Sequence, residues 1–419
     1  MNILEEIQNC PVEWKELGEV CELKNGYTPS KTNKEFWENG TIPWFRLEDI
    51  RKNGRVLSNS LQHVSRNAIK GGKVFTANSL IVSTTATIGE VALITVPFLC
   101  NQQITAVMIK QKYEKDLDIK FLFYYLQILS SDMKKGINEG SFPIVSLSKM
   151  RSFKIPIPPL KIQEKIVQIL DKFTEYVTEL TSELTSELTS RKKQYSFYRD
   201  KLLSFEDEVY QVEWKTLNEC LKKGKGTKIT ASQMKLLHKE GAPIRIFAGG
   251  KTYADVNYGD IPDKDIHTEE AIVVKSRGII DFEYCTEPFS FKNEFWSYSS
   301  DNENINLRYI YHYLVHNKEY FQNIANNMQM PQISSNDTEK FKIPVPSLEI
   351  QSRIVQVLDN FDTVCNDLNI GLPREIELRQ KQYEYFREKL LTFVAEGEYT
   401  ESRVAVSYTH LTLPTKRIV

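Results

Sequence analysis

The chain of 419 residues is too long for one compact domain. With 41% apolar and 26% charged residues it belongs to the globular class, which excludes a disordered or fibrous protein. A formal net charge of −1 excludes a bulk polycation, so any nucleic-acid surface must come from local clusters of Lys and Arg balanced by acid elsewhere.

The start, MNILEEIQNCPVEW, has no basic stretch ahead of an apolar core and does not read as a signal peptide. The anchor VEWKELGEV (12–20) follows, then a glycine-rich, basic and aromatic segment (25–55). SLIVSTTATIGEVALITV (79–96) and TAVMIK (105–110), rich in Val, Ile and Thr, predict strands. IKFLFYYLQIL (119–129) predicts an amphipathic helix. Pro156, Pro158 and Pro159 in FKIPIPP disfavour helix and then release it. Apolar residues next fall at 162, 166, 169, 173, 177, 180, 184, 188, 195, 198 and 202. That spacing lies near an eleven-residue period and predicts one straight helix over 160–205, ~70 Å long at ~1.5 Å per residue. Within it, TELTSELTSELTS (178–190) repeats Ser-Glu-Leu-Thr, the one low-complexity stretch of the chain.

From there the chain is written again. VEWKELGEV returns as VEWKTLNEC (212–220) at an offset of 200. APIRIFAGG (242–250) and AIVVKSRGIIDFEYC (271–285) predict strands, and LRYIYHYLVHNKEYFQNI (307–324) a helix. FKIPIPPLKIQEKIVQILDKF (153–173) returns as FKIPVPSLEIQSRIVQVLDNF (341–361), with 14 identities in 21 at an offset of 188. RKKQYSFYRDKLLSF (191–205) returns as RQKQYEYFREKLLTF (379–393), with 9 in 15 at the same offset. Gly371 and Pro373 predict a bend or break in the second helix. A unit of about 190 residues is duplicated, its frame kept and its middle diverged. Lone helices of this length are unstable in water, so each helix is expected to pack on the other copy.

The catalytic motifs fail one by one. AGGKT (248–252) lacks the upstream glycine of a phosphate loop, since Arg245 stands there. GKGTKI (224–229) places Ile229 where a dinucleotide motif needs its third glycine. His312 and His316 are spaced i, i+4, but Tyr313 stands where a zinc protease carries Glu. PDKDIHTEEAIVVK (262–275) has Val273 in place of a nuclease acid, and no Asn-Pro-Pro-Tyr-like element for methylating a flipped adenine is present. The six cysteines (10, 21, 100, 220, 285, 365) form no CxxC and read as reduced cytoplasmic thiols, without zinc or disulfides. No apolar run reaches the ~18 residues of a membrane span.

The divergent middles carry the other signal. Charge clusters with aromatics are often only solvated faces, but a duplicated pair of them on a helical spacer suits two half-sites. The candidate DNA-binding residues are Lys31, Lys34, Trp37, Arg46, Thr85 and Gln102 in the first middle. In the second they are Gly250, Lys251, Tyr253, Lys275, Arg277, Lys292 and Asn293. Basic groups would hold phosphates; Asn, Gln or Arg would read base edges.

LGEVCELKNGYTPSK, EFWENGTIPWFRLEDI and SFPIVSLSKMRSFKIPIPPLKIQEKIVQILDKF closely resemble the specificity subunit of type I restriction–modification systems. IFAGGKTYADVN through FKNEFWSYSS resembles another recognition-domain type of that family, and GLPREIELRQKQYEYFREKLLTF its terminal conserved region. The likeness covers about residues 12–393. It implies an α+β fold: two mixed α/β target-recognition domains in tandem, joined by two long antiparallel helices with pseudo-two-fold symmetry. The expected division is 1–159 first recognition domain, 160–205 first spacer helix, 206–347 second recognition domain and 348–395 second spacer helix. Residues 396–419 form a tail, of which 404–419 match neither repeat nor family pattern and are left out of the fold. The resemblance further implies a non-catalytic, cytoplasmic subunit that binds a bipartite site in double-stranded DNA. It would recruit two methyltransferase subunits through its helices, and restriction subunits through those. No cofactor would bind this chain; S-adenosylmethionine, ATP and Mg would belong to the partners. In that family, tandem units at the place of the Ser-Glu-Leu-Thr repeat set the gap between half-sites. The alternatives are a methylation-only complex, or a coiled-coil scaffold without sequence-specific DNA binding.

Overall fold

The anchors that recur in the sequence find each other in space. In the computed structural model, which describes residues 3–85, 87–135, 144–205, 212–325, 331–367 and 370–393, Glu13–Glu16 pairs antiparallel with Lys154–Ile157. Glu213–Thr216 pairs with Lys342–Val345 in the same register, Trp14 facing Pro156 and Trp214 facing Pro344. Proline donates no N–H to a ladder, but a two-stranded ribbon has free edges on both sides and tolerates it. Each ribbon ties the start of a divergent middle to its end, which accounts for the retention of both anchors in both copies.

The middles share one topology despite their unlike sequences. The first holds a five-stranded sheet in the order Cys21–Asn25, Ile104–Ile109, Ser79–Ser83, Val91–Ile94, Val56–Leu57. The second holds a four-stranded sheet in the order Lys222–Lys225, Trp296–Ser299, Ala271–Lys275, Asp281–Cys285. Beside each lies a three-stranded sheet: His63–Val64, Ile42–Phe45, Leu99–Cys100 in the first and Tyr253–Val256, Ile244–Phe247, Phe289–Phe291 in the second. Its last two strands run parallel in both copies. The run 79–96 is thus a hairpin, Ser79 opposite Ile94. The strand Ser79–Ser83 is buried along its whole length, which accounts for its continuous rather than alternating apolar pattern. Ile119–Lys135 covers the first sheet through Phe121, Leu122 and Leu126. Leu307–His316 and Lys318–Ala325 cover the second through Tyr309, Ile310, Leu314 and Phe321.

The predicted long helix is unbroken from Leu160 to Ser204. Its first turns are fixed by the glutamine of the repeated motif. Gln163 is fully buried; its Oε1 accepts the Asp118 N–H at 2.8 Å, and its Nε2 donates to the Asp116 and Pro158 carbonyls at 2.7 Å. Gln351 repeats the arrangement with Asn306, Asn304 and Pro346. About two turns along, Asp171 takes Lys120 and the Tyr124 hydroxyl, as Asp359 takes Arg308 and His312. The second helix is broken as expected, into Leu348–Asn366 and Leu372–Leu390. A Cβ on Gly371 would lie 2.6 Å from the carbonyls of Thr363 and Asp367, so the break requires glycine there.

Compactness divides the chain into 1–180 with 379–419, and 181–378. In the first unit Phe173 packs on Tyr383 and Phe386, and Ile166 and Leu170 share a core with Leu390, Leu391 and Phe393. In the second, Tyr195 and Tyr198 pack on Phe361, while Cys365 sits within the fields of Arg191 and Lys192. Within each unit, advancing along one helix means retreating along the other, so the packed segments of that unit run antiparallel. In the repeat stretch Leu180, Leu184 and Leu188 are half-buried and Glu179, Glu183 and Glu187 exposed. The tail 404–419 lies outside the described residues.

Candidate nucleic-acid interface

One backbone frame is built twice at the ends of the parallel strand pairs. In the first unit the Phe45 carbonyl accepts the Asn101 N–H at 3.0 Å and the Cys100 carbonyl accepts the Tyr27 N–H at 2.8 Å. The Gln103 carbonyl accepts from Thr84, whose own carbonyl accepts from Val145, both at 3.0 Å; Thr85 bridges Ile144. In the second unit the Phe247 carbonyl accepts from Lys292 at 3.1 Å and the Phe291 carbonyl from Thr227 at 2.8 Å. The Glu294 carbonyl accepts the Ser276 hydroxyl at 2.7 Å, the Ser276 carbonyl accepts from Ile333 at 3.0 Å, and Arg277 bridges Gln332. A glycine opens both frames. A Cβ on Gly26 would fall 2.2 Å from the Cys100 carbonyl oxygen, and one on Gly226 2.3 Å from that of Phe291.

Equivalent places in the frame then carry different side chains: Thr85 and Arg277, Gln102 and Asn293, Arg46 and Ala248, Thr28 and Lys228. Six of the residues singled out from sequence fall on it, Lys292 through its backbone N–H. Gln102 is exposed and its Oε1 takes the Thr28 hydroxyl, which joins the frame to the loop bearing Lys31 and Lys34. Both lysines are exposed, with no carboxylate against them among the described residues. Arg46 is held in place by the buried Asp49, which accepts the Arg46 N–H at 2.7 Å and the Leu61 N–H at 2.6 Å. Its guanidinium lies over Trp44 and reaches Glu48 at 3.0 Å, while its enclosed Nε has no acceptor. The enclosed Thr85 hydroxyl likewise has none. Trp37 works inside the loop: its indole N–H donates to the Ser30 carbonyl at 3.0 Å and its ring meets Trp44 edge-on at 5.0 Å.

In the second unit Gly250 takes φ +63° in the tight turn between Ile244–Phe247 and Tyr253–Val256. AGGKT is therefore a hairpin tip, with no helix after it to receive a phosphate. Lys251 stands exposed on that tip, and Gly249 beside it approaches the Arg277 carbonyl. Arg277 and Asn293 are exposed; Tyr253 is half-exposed, its ring covered by the Arg245 guanidinium at 4.3 Å. The two remaining lysines are engaged by groups of the protein. Lys275 does not present its ammonium outward: it is 4% exposed and donates to Glu283 at 2.6 Å and to the Gly250 carbonyl at 3.0 Å. Its charge is spent on fixing the hairpin tip. Lys292 is held by Glu294 at 2.6 Å.

Sequence reasoning missed Thr28, Lys228 and the paired glycines. The signal was present, because Gly26 and Gly226 keep the 200-residue offset of the VEW anchors. The surface offers charge and hydrogen bonds rather than bond-breaking chemistry. Burial pushes the Cys21 and Cys285 thiols up to about 12, and those of Cys10, Cys100, Cys220 and Cys365 above their ordinary value. Such thiols are poor nucleophiles. His312 is engaged by Asp359, and His316 lies 3.5 Å from Asp200. Among the described residues no group of three His, Cys, Asp or Glu is placed to hold a metal, and no helix is long and apolar enough to cross a membrane.

Comparison with known proteins agrees on one family. The profile described as the type I restriction modification DNA specificity domain matches twice, over residues 11–190 and 211–378. The type I restriction enzyme EcoprrI specificity subunit of Escherichia coli is 41% identical over 369 residues, covering 85% of this chain and 89% of that one. The EcoR124I/EcoR124II specificity subunit of Escherichia coli is 35% identical over 299 residues, covering 66% and 71%. In fold, a solved chain of a type I restriction–modification system superposes with a TM-score of 0.65 at 16% identity, covering 91% of this chain and 98% of that one.

Proposed function

The chain belongs to the type I restriction–modification DNA specificity family, and from that premise we propose that each recognition domain reads one half of a bipartite duplex target with the frame described above. As a specificity subunit it is non-catalytic. The observation that carries the proposal is the frame itself: the same hydrogen-bond skeleton holds equivalent positions in both domains, and those positions carry different side chains. That is the arrangement expected of one reading device with two specificities. Arg277 and Asn293 would read or flank one half-site, and Thr85, Gln102 and Arg46 the other. Lys31, Lys34 and Lys251 would meet phosphates.

The antiparallel helices are the surface we assign to two methyltransferase subunits, with restriction subunits joining through them. Tyr176, Phe197 and Tyr385, exposed on those helices, supply apolar area for such contacts. S-adenosylmethionine, ATP and Mg would act on the partners, and the assembly would work in the cytoplasm.

Salt-dependent DNA binding tests the proposal. Neutralising Lys251 or Arg277 with Gln is expected to flatten the dependence of log affinity on log salt by about one unit each. Lys251→Gln should weaken all duplexes alike, and Arg277→Gln should also relax one half-site. Unchanged affinity and slope in both variants would remove these residues from the interface.

A further inference from the structure

Two guanidiniums in the first unit converge on a neutral amide. Arg55, directly ahead of Val56–Leu57, donates from Nη1 to Oε1 of Gln127 at 2.8 Å. Arg387, on Leu372–Leu390, donates from Nη1 to the same oxygen at 2.9 Å. Gln127 lies on Ile119–Lys135 and is 7% exposed. An amide oxygen has lone pairs for both donors but no charge to cancel theirs. Among the described residues neither arginine has a carboxylate partner, and the enclosed Nε of Arg387 has no acceptor. Arg387 is half-buried and Arg55 exposed, so water screens the repulsion between the two cations only in part.

The duplication supplies an internal control. Arg199 is the counterpart of Arg387, 188 residues earlier, and lies over Tyr195 as Arg387 lies over Tyr383. Arg199, however, donates to Asp200 from Nε at 3.2 Å and from Nη2 at 3.0 Å. Glu388 stands where Asp200 does, but among the described residues it makes no ion pair with Arg387, so the same frame pairs the arginine in one unit and not in the other. The uncompensated pair also adjoins the reading frame. Gln127 is three residues before Ser130, which packs against Gly89, whose N–H donates to the Ser83 carbonyl at 3.0 Å. Two residues before Gly89, Thr87 accepts from Arg51 at 2.6 Å.

We propose that Arg55 and Arg387 hold a phosphate oxyanion, and that its source is the backbone of the duplex bound by the first domain. The DNA source rests on the function proposed above; the oxyanion site does not. Guanidinium pairs match phosphate geometry, and the orphaned Nε offers one more donor.

The test uses the full chain, inorganic phosphate against chloride at constant ionic strength, and duplexes with and without the target. The variants are Arg55→Gln with Arg387→Gln, Gln127→Glu, and Arg199→Gln as control. Gln127→Glu supplies the missing carboxylate, so it should raise the melting temperature while weakening anion binding. Phosphate should raise the melting temperature of the wild type and of Arg199→Gln, but not of the other two. Those two should bind every duplex roughly tenfold more weakly, with a salt slope shallower by about 0.9 per phosphate lost and half-site preference intact. A Gln127→Glu chain that melts higher yet keeps its phosphate response and salt slope overturns the site. Loss of the phosphate response with an unchanged slope overturns the DNA source. A wild type without sequence preference defeats the function proposed above, and the phosphate arm still decides the site.

Discussion

Two histidines of the closing helix Leu307–His316 show how small groups hold a recognition domain to the spacer. His312 is buried, and desolvation holds its pKa below the ordinary 6.5 despite the pull of Asp359 at 2.7 Å. His316 is held down in the same direction, by burial first and then by Arg199. Both imidazoles are therefore neutral in the folded chain at pH 7, while the unfolded chain takes up protons near pH 6.5. Their contribution is present above that pH and is lost as pH falls toward the folded values, with a slope of at most ~1.4 kcal/mol per pH unit for each. Denaturant melts between pH 7.5 and 5 should show this fall, and His312→Gln should flatten it. An equally steep fall in the variant would contradict the assignment. Gln163 and Gln351 were legible as a repeated motif letter but not as a clamp. Their partners at Asp116, Asp118, Asn304 and Asn306 lie 45 to 47 residues upstream, in stretches without sequence likeness between the copies.

At the scale of elements, the long helix, its broken copy and the Val- and Ile-rich strands followed from periodicity and from proline and glycine placement. The shared topology of the middles did not. Strand order is set by backbone pairing, which Leu99–Cys100 and Phe289–Phe291 satisfy with unlike side chains in runs too short to show a period. What does recur is the glycine under each frame. Gly26→Ala and Gly226→Ala each drive a Cβ into a carbonyl oxygen, and each is expected to blur discrimination at one half-site while leaving the other sharp. Blurring of both, in a binding selection from random duplexes, would speak against independent frames. The Ser-Glu-Leu-Thr stretch suits a spacer that can change length. The Thr185 and Thr189 hydroxyls bond back to the Thr181 and Thr185 carbonyls of the preceding unit inside the helix, while the enclosed Thr181 hydroxyl has no partner. Deleting residues 181–184 removes ~6 Å of helix and ~40° of rotation. The half-sites should persist and the gap between them should shorten. An unchanged gap would mean that the repeat is not a ruler.

At the scale of the whole molecule, a duplicated frame with divergent inserts separates two tasks. The anchors, the buried glutamines and the helices are written alike because they build the scaffold; the residues on the frames differ, as the proposal that each faces its own sequence requires. Recognition without bond-making chemistry makes the chain dependent on partners, in agreement with its place among specificity subunits. The central claim is that each domain reads one half of a two-part site. Mapping methylated adenines in DNA from cells that carry this chain with the methyltransferase subunit proposed above tests it most directly. The account predicts two short blocks at a fixed separation, and Arg277→Gln should relax one block while the other is kept. A single continuous block, or relaxation of both blocks by that one substitution, would contradict it.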